Sequence, residues 1–329
     1  MTAPRPRLTV LVPTIGRMAF LPAAEQAIAA QTFRDFEVIV LDNESGPEAQ
    51  EFFAGWAARD GRVRVSRTDP RVPMFDNFDR GIREAQSEYV VFFHDDDVYY
   101  PELLERAVRA LDAHPGAGFW GSNYDFVDED GRMTEKRRWV PRTGAVRGDR
   151  YLEMLLTRGR NPIPMPGIVY RRSIFGDRGF DRDVPIHFGD FVILMRMAER
   201  ADVCLDARSC MAVRRHEGQA SVALPWSKVA QIRSDVLHKY LDELLARSPE
   251  KGPFVRGMRE RVETTRRLAL LWGAAQTRDG KEAALCVDGL AAMPLWHAVG
   301  KGVQHAGFLR DVVPVMTKSA KRLGERLGF

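Results

Sequence analysis

The sequence predicts an α/β fold: a Rossmann-like, mostly parallel sheet flanked by helices, with a helical C-terminal extension. Three observations predict it. Short apolar runs alternate with segments whose apolar residues recur at helical spacing. Those runs stop at proline, glycine or acidic residues. From about residue 226 onward only the helical period remains. The 329 residues, 45% hydrophobic and 29% charged, suffice for one sizeable core and an appended lobe.

The elements follow in order. Residues 8–13 (LTVLVP) form a strand stopped by Pro13, and 19–31 a helix with Phe20, Ala24, Ala27 and Ile28 on one face. Residues 36–41 (FEVIVL) are a second strand, ended by DNESG at 42–46; Pro47 opens the next helix, where proline is tolerated. Residues 63–66 are a third strand, 76–86 a helix and 89–93 (YVVFF) a fourth strand; Pro101 opens a helix to about 113. Residues 118–127 read as a strand, 128–131 (DEDG) as a hairpin turn, and the stretch to 172, rich in Pro, Gly and Arg, as loops. A helix over 190–200 precedes short strands around Val203 and Ala212. Ser227 then caps a helix with the stripe Val229, Ile232, Val236, Tyr240 and Leu244.

Several function classes are excluded. No apolar run approaches the ~20 residues that cross a bilayer. Residues 1–7 lack the features of a signal peptide. Cys204, Cys210 and Cys286 form no C-x-x-C pair, which argues against a disulfide framework or structural zinc and for a reducing cytosol. The net charge of +4 is spread among nearly as many acids, so no nucleic-acid partner is expected. Neither G-x-G-x-x-G nor a Walker loop occurs.

In open α/β sheets ligands sit beyond the carboxyl ends of the strands. There the sequence puts Thr14, Arg17, Asp42 and the run His94-Asp95-Asp96-Asp97. Three carboxylates after a buried strand repel one another unless neutralised, and a hard divalent cation such as Mn²⁺ or Mg²⁺ does this. Capping of the helix near Pro101 accounts for one of the three. Asp42 suits either a local turn or hydrogen bonding to a nucleoside.

LTVLVPTIGR (8–17), QTFRDFEVIVLDNESG (31–46), NFDRGI (77–82) and EYVVFFHDDDVYYP (88–101), in that order, resemble the family 2 glycosyltransferases of the GT-A fold. GFD (179–181), GDF (189–191), Arg196 and RHEG (215–218) extend the resemblance over about two-thirds of the chain. It implies a catalytic domain over 1–225, with a donor-binding half (1–118) and an acceptor-side half (119–225), followed by a helical region, 226–329. Pro13, Thr14 and Arg17 would line the nucleotide pocket, Asp42 would accept from the base, and Asn77 and Arg80 would pack near the donor. Asp95, Asp96 and Asp97 correspond to the D-x-D metal motif, with Asp96 the main ligand and Asp95 and Asp97 facing ribose, sugar or a metal-bound water. His94 stands where many members have another Asp, which leaves the ligands within the run open.

Asp190 matches the catalytic base of an E-D pair in which Gly189 replaces the Glu; the other reading is a helix N-cap. His216, beside Arg214 and the donor-binding Arg215, corresponds to a His that reaches the metal or diphosphate, although a lone His is usually structural. The implied reaction is inverting transfer from a UDP- or dTDP-type sugar to a glycan, lipid-linked or small-molecule hydroxyl. A sugar nucleotidyltransferase is an alternative, but TIGR (14–17) is spare for its glycine-rich basic loop. A non-catalytic nucleotide- or glycan-binding module is another, disfavoured by the intact acidic run and Asp190. Residues 308–328 align Leu309, Val312, Val313, Met316, Ala320, Leu323 and Leu327, with Lys318, Lys321, Arg322 and Arg326 around them. Such a helix either contacts the inner membrane face peripherally or packs on its own domain, and Pro314 interrupts its start.

Overall fold

The computed structural model describes residues 5–159, 161–176, 179–216, 225–276 and 280–288. The amphipathic stretch 308–328 lies outside them. The chain divides into two compact units, residues 1–151 with 162–219, and residues 152–161 with 220–329.

The first unit carries the sheet. Its first half repeats strand and helix: β1 (Leu8–Thr14), α1 (Leu21–Ala29), β2 (Phe36–Asn43), α2 (Pro47–Arg59), β3 (Val63–Thr68), α3 (Met74–Glu84) and β4 (Tyr89–Phe92). β2 and β4 flank β1, β3 flanks β2, and all these pairs are parallel. Leu8, Val10, Leu11 and Val12 are each fully buried. Helices on both faces make such burial achievable, which is why the strand reads as an unbroken apolar run. Just beyond α1, Gln31 is fully buried. Its amide donates to the carbonyls of Ala27 and Tyr100 and its oxygen accepts the Leu104 N–H, tying the end of α1 to the start of the helix that begins at Leu103.

The second half widens the sheet. β5 (Val98–Tyr99), α4 (Leu103–Ala113) and β6 (Ala117–Val127) follow β4, then β7 (Met133–Arg137), β8 (Gly144–Val146), α5 (Gly148–Arg158), β9 (Val169–Arg171), α6 (Gly189–Ala198) and β10 (Asp202–Arg214). The strand order is β3-β2-β1-β4-β9-β6-β10-β5, with β7 on β6 and β8 on β10. β10 runs parallel to β6, whereas β9 lies antiparallel between β4 and β6.

Three expectations are corrected. The loops expected over 132–172 contain β7, β8, α5 and β9. The two short strands near 203 and 212 are one strand, β10, whose register shifts around Asp206 and Ser209. Its polar middle does not end the strand, because Asp206 pairs with Arg106 at 2.6 Å and the Ser209 hydroxyl donates to Asp125 at 3.1 Å. Ser227 is not a cap. Helix α7 (Trp226–Arg247) starts one residue earlier behind Pro225, and the Ser227 N–H and hydroxyl both donate to Glu282.

The second unit contains residues 152–158 of α5 together with α7, α8 (Gly252–Gln276) and α9 (Gly280–Asp288), with Ala230, Ala269, Leu270 and Cys286 packed together. Among the described residues no helix is long and apolar enough to cross a membrane.

Candidate active site

The loop after β1 is fixed by Gly16. Its φ is 86°, and a Cβ there would stand 2.7 Å from the Ser45 Cβ and 2.9 Å from that of Ala49. A side chain is therefore excluded both by conformation and by space. The Gly16 N–H donates to the Thr14 hydroxyl at 2.9 Å, and that hydroxyl donates to Asp95 at 2.5 Å. Arg17 spans two carboxylates: one guanidinium nitrogen bonds Asp95 and the other lies 2.8 Å from Asp96 Oδ2.

β10 reaches the acidic run from the other side. β5, directly after Asp97, pairs with Met211 and Ala212, which delivers residues 214–216 beside 95–97. The Arg214 backbone N–H donates to the Asp97 carboxylate at 3.0 Å. The Arg214 side chain donates to the carbonyls of Asp96, Asp128 and Glu129. His216 Nε2 lies 3.1 Å from Asp96 Oδ2, and its ring packs 4.9 Å from Phe20. Asp97 does not cap α4, whose N-cap position is Glu102 and carries no side-chain cap bond.

Electrostatics divides the three acids. Burial pushes the Asp95 carboxyl up, against the pull of Arg17 and Thr14. Burial and the neighbouring Asp96 push Asp97 well above the usual carboxylate range. Burial also opposes ionisation of Asp96, but His94, Arg17 and the His216 hydrogen bond outweigh it and hold the group low. Burial holds His94 below its ordinary value, against the pull of Asp96 and Asp95. Ligand atoms of His94, Asp96 and Asp97 lie within 4.8 Å of one another. His94 Nε2 is sealed from solvent and has no hydrogen-bond partner. One nitrogen and two carboxylate oxygens so placed fit a divalent cation, Mn²⁺ more naturally than Mg²⁺.

The other expected residues lie around this cluster. Pro13 and Thr14 are level with Leu41 and Asp42 across β1 and β2. Asp42 accepts the Ser45 N–H at 2.8 Å and pairs with Arg67 at 2.6 Å, so it forms the local turn weighed for it from the sequence. Asn77 donates to the Leu41 carbonyl, and Arg80 bonds Asn77 and Ser66, fastening α3 to the ends of β2 and β3. Arg215 turns outward, its guanidinium 3.8 Å from the centre of the Phe126 ring and 2.9 Å from Glu135.

Asp190 sits half-buried in the first turn of α6, whose N-cap is Phe188, so the capping role weighed for it is not the one it has. Together with burial, its charge raises the hydroxyl of Tyr170 on β9. A Cβ on Gly189 would stand 2.1 Å from the Phe75 ring, so Phe75 fills the volume a glutamate would need. The segment before α6 is clamped by Asp181 with Arg196 at 2.6 Å and by Asp79, which accepts the Phe180 N–H and pairs with Arg182. Gly179 (φ 59°) leaves no room for a Cβ beside the Asp79 carboxylate. Sequence reasoning missed Arg67, Phe20 and the backbone role of Arg214, whose signals are contacts between distant parts of the chain.

The profile of glycosyl transferase family 2 matches residues 9–179, more than half of the chain. The chain belongs to this family. A PGL/p-HBAD biosynthesis glycosyltransferase of Mycobacterium bovis is 28% identical over 176 residues, 53% of this chain and 62% of that protein. The aligned part thus spans under two-thirds of that relative. A GalNAc(5)-diNAcBac-PP-undecaprenol beta-1,3-glucosyltransferase of Campylobacter jejuni is 31% identical over 35% of this chain and 36% of its own length. Among solved structures, S. aureus TarS 1–349 in complex with UDP-GlcNAc aligns with a TM-score of 0.55 at 17% identity, covering 91% of this chain and 88% of its own. A mannosyltransferase of Pyrobaculum calidifontis in complex with GDP-Man and Mn²⁺ gives 0.52 at 18% identity, covering 91% and 87%. At these identities the likeness establishes the fold: the chain has the GT-A architecture.

Proposed function

We propose that the protein transfers a sugar, with inversion, from a UDP- or dTDP-type donor to an acceptor hydroxyl, with Mn²⁺ or Mg²⁺ bound at the acidic run. The observation that carries this reading is the convergence of Thr14, Arg17, Asp95, Asp96, Asp97 and His216 beyond the ends of β1, β4 and β10. Asp96 and Asp97 hold the cation, with His94 and His216 at hand. When bound, the cation supplies positive charge against the departing diphosphate. Arg17 and Thr14 hold the diphosphate end of the donor; Pro13, Asp42, Asn77 and Arg80 shape the nucleoside end; Arg215 adds positive charge near the rim. Asp190 accepts the proton of the attacking hydroxyl. A single displacement at the anomeric carbon inverts its configuration.

In this reading residues 1–118 bind the donor and 119–225 face the acceptor, and the chain continues into α7, α8 and α9. A glycan or lipid-linked acceptor is in keeping with the polyprenyl-linked substrate named for the Campylobacter relative. Work on such an acceptor at the cytoplasmic membrane face would suit peripheral contact through 308–328.

Thermal unfolding against UDP, dTDP and GDP, with and without Mn²⁺, tests the donor class, because a ligand of the folded state raises the midpoint. One pyrimidine diphosphate should give a Mn²⁺-dependent rise that Asp96→Ala abolishes. No shift with any nucleotide would defeat the reading. Asp190→Asn should lower turnover by roughly 10²–10⁴-fold while leaving the nucleotide shift intact; unchanged turnover would remove Asp190 as the base.

A further inference from the structure

We propose that Arg17 is an internal counter-ion that occupies the metal-binding carboxylate of the free enzyme and yields it only when a diphosphate arrives, so that cation and nucleotide bind as a pair. The inference deepens the donor-and-metal reading above and rests on it.

The oxygen that matters is Asp96 Oδ2. It receives Arg17 at 2.8 Å and His216 at 3.1 Å, so an incoming cation meets an oxygen already held by a fixed positive charge. Arg17 also grips Asp95, a carboxylate with a fully buried side chain. The guanidinium of Arg214, although close, is directed at the carbonyls of Asp96, Asp128 and Glu129. Arg17 is thus the guanidinium that bridges Asp95 and Asp96. A divalent ion at Asp96 and a guanidinium at the same oxygen repel strongly at such separation in a partly buried setting. The conflict is relieved if Arg17 finds another anion. Its side chain is 28% exposed, so the guanidinium can exchange Asp96 for a diphosphate by a side-chain movement. Binding coupled in this way is reciprocal: the diphosphate tightens the cation by the factor by which the cation tightens the diphosphate.

The test is Mn²⁺ affinity of the full-length protein, read by the electron paramagnetic resonance signal of free Mn²⁺, with and without UDP. Wild type should bind Mn²⁺ weakly alone and roughly 5–150-fold tighter with UDP, the span typical of coupled sites. Arg17→Met removes the competitor, so its affinity for Mn²⁺ alone should exceed that of wild type by about fivefold or more, with less gain from UDP. If Arg17→Met does not fold without metal, Arg17→Lys carries the test. A single ammonium cannot bridge both carboxylates, so Mn²⁺ alone should again bind several-fold tighter than in wild type. Equal or weaker Mn²⁺ binding by the folded variants overturns the counter-ion role and leaves the donor reading standing. No Mn²⁺ binding by any form, with or without UDP, defeats the donor-and-metal reading itself.

Discussion

Asp97 is a carboxyl group kept where it resists ionisation, and its cost is measurable. Its raised value gives a definite sign: an acid whose folded-state pKa exceeds the unfolded one stabilises most below the unfolded value and loses that contribution as pH rises through the folded value. Asp97→Asn keeps an oxygen for the Arg214 N–H and removes the buried charge. Without metal it should therefore be more stable than wild type by about 1–2 kcal/mol at neutral pH. The gap should close as pH falls toward 4 and the wild-type group protonates. Chemical denaturation at a series of pH values checks this, and a wild type more stable than the variant at pH 7 would contradict it. Saturating Mn²⁺ should help only the wild type, a trade of stability for function. The acidic run itself was legible in the sequence, because three adjacent acids after an apolar strand have few other uses. What neutralises them was not: Arg17 is 78 residues from Asp95, and only folding brings the two together. Asp42 was half legible, its turn with Ser45 being local and its partner Arg67 a strand away.

Elements are positioned here by glycines standing against aromatic or backbone neighbours. Gly189→Ala drives a methyl group into the Phe75 ring, which is itself stacked on Phe180 at 5.1 Å. A loss of about 1–3 kcal/mol is expected, the usual range for overpacking, and Phe75→Leu in the same chain should recover part of it. Strict additivity of the two changes would contradict direct packing between them. Gly16→Ala meets both strain and steric conflict; it should destabilise similarly and weaken nucleotide-induced protection by moving Arg17. The first four strand–helix repeats were legible because β1, β2 and β4 are buried on both faces and the strands end at punctuating residues. The strands β7, β8 and β9 were not. They have three to five residues, β7 reads MTEKR, and their existence depends on pairing with β6, β10 and β4 rather than on their own pattern. The double role of Asp206 and Ser209 as strand and bulge residues was hidden for the same reason.

For the whole molecule, the reduced thiols give a response to alkali. Cys204, Cys210 and Cys286 are all free and buried. Burial raises the first two to about 11 and the third to about 12. Their stabilising contribution is present below the unfolded thiol value, about 8.5, and disappears as pH rises through 11 to 12. The melting midpoint should fall over that interval, and the fall should be smaller when all three are alanine, once compared with the variant's own neutral value. A thiol reagent at neutral pH should label none of the three before denaturant is added; prompt labelling would show that the second unit or β10 opens readily. The α/β architecture was legible because its signals are repeated many times along the chain, whereas the reversed strand between β4 and β6 rests on the three residues of β9. Those three residues have a further consequence. β9 is made after β6 yet lies between it and β4, so during vectorial synthesis β4 keeps an open edge for about eighty residues. A nascent chain paused between 130 and 165 thus carries a near-complete donor half whose sheet can only be extended by something else. Ribosome-stalled intermediates of that length should be the ones that chaperones capture, and a chain lengthened past residue 171 should be released.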